Sequence, residues 1–297
     1  MGMGKGLVAG ALAALGGAGV WWARARLRSA ALRLLIPYIF GDPARKRGLR
    51  IQFLLSPPPW LQITLVGALG KTLSEIVGAP VEAVAYSRFG GFPLGRTYSE
   101  FMNPDSPYYQ VWLGAYAVFD GPAVQRYGFG GDGRPSQQAA LDVLEADQRL
   151  VYHGAGCSRR FEDGRCVRPY GDFAVEQVEE RGEVWWRMTG EADTWSAYHR
   201  GVNPEGRWHH PWIYGVVPKD APHPVDDWHP LRYRGEFWLR YEPALGVSCA
   251  KFFIYPEYTD RRGERVTRAE AILPELRRLL GAIVFTSGAG KEKGSAP

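Results

Sequence analysis

Five of the chain's six histidines fall in one stretch, Asp193 to His229: His199, His209, His210, His223 and His229. Asp193, Asp226 and Asp227 lie among them, as do Trp195, Tyr198, Trp208, Trp212, Tyr214 and Trp228. Groups that titrate or bind metals thus stand among rings that favour an apolar setting. A carboxylate can orient an imidazole and raise its basicity, so Asp193 with His199, or Asp227 with His209 and His229, are the candidate acid/base groups. Trp195, Tyr198, Trp208, Trp212 and Trp228 are the candidate walls of a cavity for an apolar or ring-shaped ligand.

A metal centre is not expected. Neither HExxH nor HxH occurs, and adjacent His209 and His210 point to opposite sides of an extended chain. The competing reading is loop histidines bonded to backbone and packed on tryptophan. Cys157, in the turn Gly154-Ala155-Gly156-Cys157-Ser158, lacks the strand–GxSxG–helix setting of a hydrolase nucleophile. The Gly128–Pro135 loop lacks the GK[ST] of a phosphate loop, and no cofactor is implied. Cys157, Cys166 and Cys249 are odd in number and form no CxxC pair, which points to free thiols rather than a disulfide framework.

Two β-hairpins must position the histidine stretch. Phe173–Glu179 and Val184–Ala192 flank the turn Glu180-Arg181-Gly182-Glu183 on its near side. On its far side, Leu231–Tyr241 alternates: Leu231, Tyr233, Phe237, Leu239 and Tyr241 against Arg232, Arg234, Glu236 and Arg240, with Trp238 the exception. That is the period of a strand, and Val247–Tyr255 returns alongside it. The stretch between carries Pro204, Pro211, Pro218, Pro222, Pro224 and Pro230 and reads as loop. Tyr108–Phe119 is almost continuously apolar, as a strand covered on both faces should be. Val81–Phe89 is a further strand, and Ser136 opens a helix over 137–150 whose Ala140, Leu141 and Leu144 face the core. The expected fold is mainly β (α+β). An antiparallel barrel or two-sheet sandwich over 81–260 is flanked by N-terminal helices and a C-terminal helix.

Residues 6–23 form an uncharged run of 18 residues between Lys5 and Arg24. As a helix it spans about 27 Å, near the ~30 Å hydrocarbon thickness. Residues 1–23 therefore read as a transmembrane anchor. A cleaved signal peptide, with a small-x-small site at Ala23-Arg24-Ala25, is the alternative, but Arg26, Arg28 and Arg33 crowd its would-be mature start. Residues 24–56 read as a basic amphipathic helix and connector, and 57–80 as an apolar helix begun at Ser56-Pro57-Pro58 and ended by Gly78-Ala79-Pro80. Thr267-Arg268-Ala269-Glu270 fits a capping box for a C-terminal helix within 261–286, and 287–297 is a flexible tail.

Charge is segregated. Residues 1–56 carry +8, residues 261–297 carry +4 and residues 57–260 carry −7. An acidic body argues against nucleic acid as a partner, and basic ends suit anionic lipid met through residues 1–40. Heavier positive charge after the apolar run places the β body in the cytoplasm. The functional expectation is a membrane-anchored protein whose Trp-rich β domain binds a hydrophobic small molecule or lipid. One alternative is a membrane-associated acid/base enzyme using the 193–229 group. Another is a non-catalytic subunit or assembly factor docking on a membrane-protein partner.

Overall fold

The computed structural model of the chain describes residues 48–55, 62–66, 69–89, 100, 103, 105–152, 160–194, 231–259 and 262–287. All lie in one compact unit, residues 43–297. The expected anchor and amphipathic helix, and residues 195–230 with every candidate of that stretch except Asp193, lie outside the described residues. Among the described residues no helix is long and apolar enough to cross a membrane.

The protein is mainly β. In chain order the strands are β1 (Leu49–Phe53), β2 (Gln62–Val66), β3 (Glu82–Phe89), β4 (Trp112–Phe119), β5 (Val167–Pro169), β6 (Ala174–Glu180), β7 (Glu183–Thr194), β8 (Leu231–Glu242), β9 (Val247–Thr259), β10 (Arg265–Val266) and β11 (Ile283–Ser287). Helix α1 (Leu69–Val77) precedes β3, α2 (Gln137–Tyr152) follows β4, and α3 (Leu273–Gly281) precedes β11. Nine strands form one antiparallel sheet in the order β2-β3-β4-β9-β8-β7-β5, with β6 also on β7 and β10 also on β9. This sheet is an open, curled half-barrel. Of the expected barrel or two-sheet sandwich the structure shows a half-barrel: among the described residues β2 is not paired with β5 or β6, so the described strands do not close into a ring. β1 and β11 make a separate two-stranded ribbon.

β4 shows that the curled sheet is covered on both faces. All eight of its residues are buried. Trp112, Tyr116 and Val118 join a core with α1 and α2, including Leu73, Ala140, Leu141 and Leu144. Leu113, Ala115, Ala117 and Phe119 join a second core with α3 and the ribbon, including Leu276, Leu280, Ile283 and Phe285. Alternate side chains thus feed two layers, as the unbroken apolar sequence of the strand requires.

Local signals placed several elements. Ser136 Oγ accepts the Gln138 N–H at 3.2 Å at the start of α2. Gly78 ends α1 at φ 74°, its N–H reaching the Ser74 carbonyl at 2.9 Å. Arg181 and Gly182, at φ 55° and 75°, make the two-residue β6–β7 turn, in which both φ values are positive.

Two expected helices are shorter than the sequence suggested. The 57–80 helix is realised only as α1, because Gln62–Val66, with Ile63, Thr64 and Val66 β-branched, pairs antiparallel with β3. The C-terminal helix stops at Gly281, and Ile283–Ser287 turns to pair with β1. The expected capping box does not form: Thr267 makes no side-chain cap and precedes a 3₁₀ turn over Arg268–Ile272. The main sheet also reaches past the expected 81–260, taking in β2 and β10, and Leu49–Phe53 is a strand within the expected basic connector.

Candidate functional site

Asp193 is the sequence candidate that the described residues include. It stands near the end of β7, one residue from the Thr194–Leu231 pair that closes the β7–β8 ladder. Its Oδ1 accepts from Arg232 Nε at 3.2 Å, and its Oδ2 lies 3.5 Å from Arg168 Nη2. The Arg232 guanidinium in turn lies over the Tyr170 ring, 3.4 Å from its centroid. Both oxygens of this carboxylate thus face a guanidinium. The partners His199, His209, Asp227 and His229, and the rings Trp195, Tyr198, Trp208, Trp212 and Trp228, lie outside the described residues. Among the described residues no three His, Cys, Asp or Glu side chains group as metal ligands.

The structure draws attention instead to the opposite end of the same strands, on the face that meets the ribbon. There β7, β8 and β9 present Trp185, Trp238, Arg240, Cys249 and Lys251 side by side, since Arg240 pairs with Cys249 and Trp238 with Lys251. Lys251 is 1 % exposed. Its ammonium bonds Glu180 of β6 and stands 4.7 Å from the Trp185 ring centroid and 5.0 Å from that of Trp238. Two strands separate β6 from β9 in the sheet, so this ion pair reaches across the curled face. Burial lowers the Lys251 pKa, and Glu180 draws it partly back. Beside it, Trp238 Nε1 donates to the buried Glu236 at 2.7 Å, and Arg277 of α3 donates to the other oxygen at 3.1 Å.

Next to this cage a cleft of about 290 Å³ opens between the sheet and the ribbon. Leu49, Leu245, Cys249 and Phe285 supply apolar walls, and Glu183, Arg240, Glu242 and Thr286 supply polar ones. Arg240 lies over the Trp185 ring at 5.0 Å and pairs with Glu183 at 2.5 Å. Glu242 lies 3.9 Å from Arg240 Nη2, outside hydrogen-bond reach. Arg240 Nε is buried and has no hydrogen-bond partner among the described residues. Burial pushes the Cys249 thiol up to about 12, so it stays neutral and is no nucleophile at ordinary pH.

In the sequence Arg240 alternates with the apolar residues of β8, on the charged side expected to be wet, and Cys249 has no site role. The signal was Trp238 breaking the alternation, which marks the face as covered rather than wet. What covers it, the β1–β11 ribbon, joins residues more than two hundred positions apart.

The chain matches no family model, no curated protein and no solved structure. The fold and the cleft therefore define the protein only as a mainly β protein built on an open, curled half-barrel, with a mixed apolar and charged cleft under a two-stranded ribbon.

Proposed function

We propose that the chain is a membrane-tethered binding protein whose β domain holds a small hydrophobic or amphipathic molecule. The observation that carries this reading is the cleft itself: Leu49 and Phe285 of the ribbon and Leu245 of the β8–β9 turn meet Glu183, Arg240, Glu242 and Thr286 there, a mixed lining that suits a molecule with an apolar and a polar part. The curled, unclosed sheet supports it, because a sheet that bends without closing leaves a face for a ligand or a covering segment. The tether rests on the apolar run 6–23 and its basic flanks, and positive-inside charge places the β body in the cytoplasm.

The test is extraction of the full chain from its host membrane in mild detergent, followed by solvent extraction and lipid mass spectrometry. An amphiphile recovered near one per chain is expected. Preparations that carry none, and that ignore hydrophobic dyes, would overturn the reading. Carbonate washing tests the tether separately: the full-length chain should stay with the membrane, and its release into the soluble fraction would remove the anchor. In sealed cells the β body should resist added protease. Digestion from outside would reverse the orientation only.

A further inference from the structure

We infer that the outer edge of β2 is an interface between two copies of this chain, which pair strand β2 against strand β2, antiparallel, about a two-fold axis at Thr64.

The two ends of the nine-stranded sheet are built differently. An edge strand presents a row of backbone donors and acceptors that pairs with another strand unless charge, proline or a covering element blunts it. At one end β5 and β6 carry such devices: Arg168 and Pro169 in β5, and Glu176, Glu179 and Glu180 in β6. At the other end β2 reads Gln62-Ile63-Thr64-Leu65-Val66, with neither charge nor proline. It pairs with β3 along all five residues and with no second strand among the described residues. Ile63, Thr64 and Val66 are β-branched, which favours a strand paired on both sides. The sheet thus guards one edge and leaves the other fit for pairing.

The edge's own chemistry selects a second copy as the occupant. A two-fold axis at Thr64 sets Gln62 opposite the second copy's Val66, Ile63 opposite its Leu65, and Thr64 opposite its Thr64. Facing residues differ in number by an even step, so each face of one sheet continues into the same face of the other. No like charges meet, and threonine opposite threonine is a favourable cross-strand pair. Pairing β2 with the far edge of another copy would instead be head to tail and open-ended, and the carboxylates and proline of β5 and β6 oppose it. The two-fold contact closes at two copies. A five-residue pair is a small interface, so the dimer is a reversible one.

The experiment is sedimentation of the full chain in mild detergent over a concentration series, where a reversible monomer–dimer equilibrium is expected. Thr64→Lys and Thr64→Glu each set like charges face to face, and each alone should weaken the dimer by about tenfold. Mixed in equal amounts, they set Lys against Glu and should restore it. That rescue separates a lost contact from a misfolded chain, which mixing would not recover. The register has its own reading in chains that carry Cys157→Ser, since Cys166 and Cys249 are buried. Thr64→Cys should cross-link to itself on oxidation, because facing residues bring their Cα atoms within disulfide reach. Gln62→Cys should not, because its two copies stand about 14 Å apart, yet it should link to Val66→Cys in a mixture. A chain that stays monomeric at every concentration would overturn the inference. So would a dimer that both charged variants leave unmoved, a loss that mixing does not restore, or Gln62→Cys linking to itself as readily as Thr64→Cys.

Discussion

At the scale of single residues, the buried ion pair offers the sharpest test of how this face is held together. The Lys251 side chain is 2 % exposed, and that of Glu180 is 21 % exposed. The two partners are therefore not equivalent. Removing Glu180 strands an ammonium between two tryptophans with no carboxylate and little water. Removing Lys251 leaves a carboxylate that can turn toward solvent. Breaking a buried pair costs about 3–5 kcal/mol when the remaining charge is trapped. Glu180→Ala should therefore cost about 3 kcal/mol, and Lys251→Met about half that or less, in urea unfolding of the full chain. Equal costs, or the reverse order, would mean that the ammonium is not the trapped charge. Little of this was legible beforehand. Lys251 reads as an ordinary residue of a returning strand, and Glu180 as part of a hairpin turn. Their meeting depends on the curl of a sheet, a tertiary property with no local signature. The histidine stretch was conspicuous because its residue types cluster in sequence, whereas the cleft's groups cluster only in space.

At the scale of elements, the alternation of β8, the apolar continuity of β4 and the Arg181-Gly182 turn were legible because each is a local consequence of side-chain direction or backbone conformation. β1, β2 and β11 were not. Five-residue strands such as Ile283–Ser287 extend an apolar pattern that a helix explains equally well, and only their distant partners decide the matter. Glycine in the middle of strands is another element-level feature with a structural cause. Gly190 of β7 and Gly235 of β8 face each other in register. A Cβ on Gly190 would stand 2.1 Å from the Phe173 ring, which stacks on Phe237 with centroids 6.3 Å apart. Gly190 makes the slot into which Phe173 seats against the sheet, whereas a Cβ on Gly235 would stand 2.7 Å from the Phe237 ring. Gly190→Ala should destabilise by about 1–3 kcal/mol through overpacking. Combined with Phe173→Ala it should cost far less than the sum of the two single changes, because the clash is gone once the ring is gone. Additive costs in that double-mutant cycle would show that the slot does not hold the ring.

At the scale of the whole molecule, the two cores bury a set of weak acids that tie stability to alkaline pH. Burial pushes Cys166 up to about 11 and Cys249 up to about 12, from 9.0 in an unfolded chain. Burial also raises the phenols of Tyr109, Tyr116, Tyr127 and Tyr233 above 10.0. A group whose folded pKa is raised stabilises the fold fully below its unfolded pKa, and that contribution is lost as pH climbs toward the folded value. The thiol contributions should thus begin to fall above 9.0 and the phenol contributions above 10.0. Lys251 works in the opposite direction. Its folded pKa lies below 10.5, so between the two values the unfolded chain holds more protons and stability rises with pH. The phenols of Tyr241 and Tyr255 are raised as well, so one rising contribution stands against eight falling ones, and each changes by up to about 1.4 kcal/mol per pH unit. The urea midpoint of the full chain should therefore hold between about pH 8 and 9, soften between about 9 and 10, and drop steeply beyond. Replacing Cys166 and Cys249 with alanine should remove the softening but leave the steep part. Lys251→Met should steepen it. A midpoint that stays level to about pH 11 would mean that the four phenols are reached by water in the folded protein and that the two cores are not sealed as described.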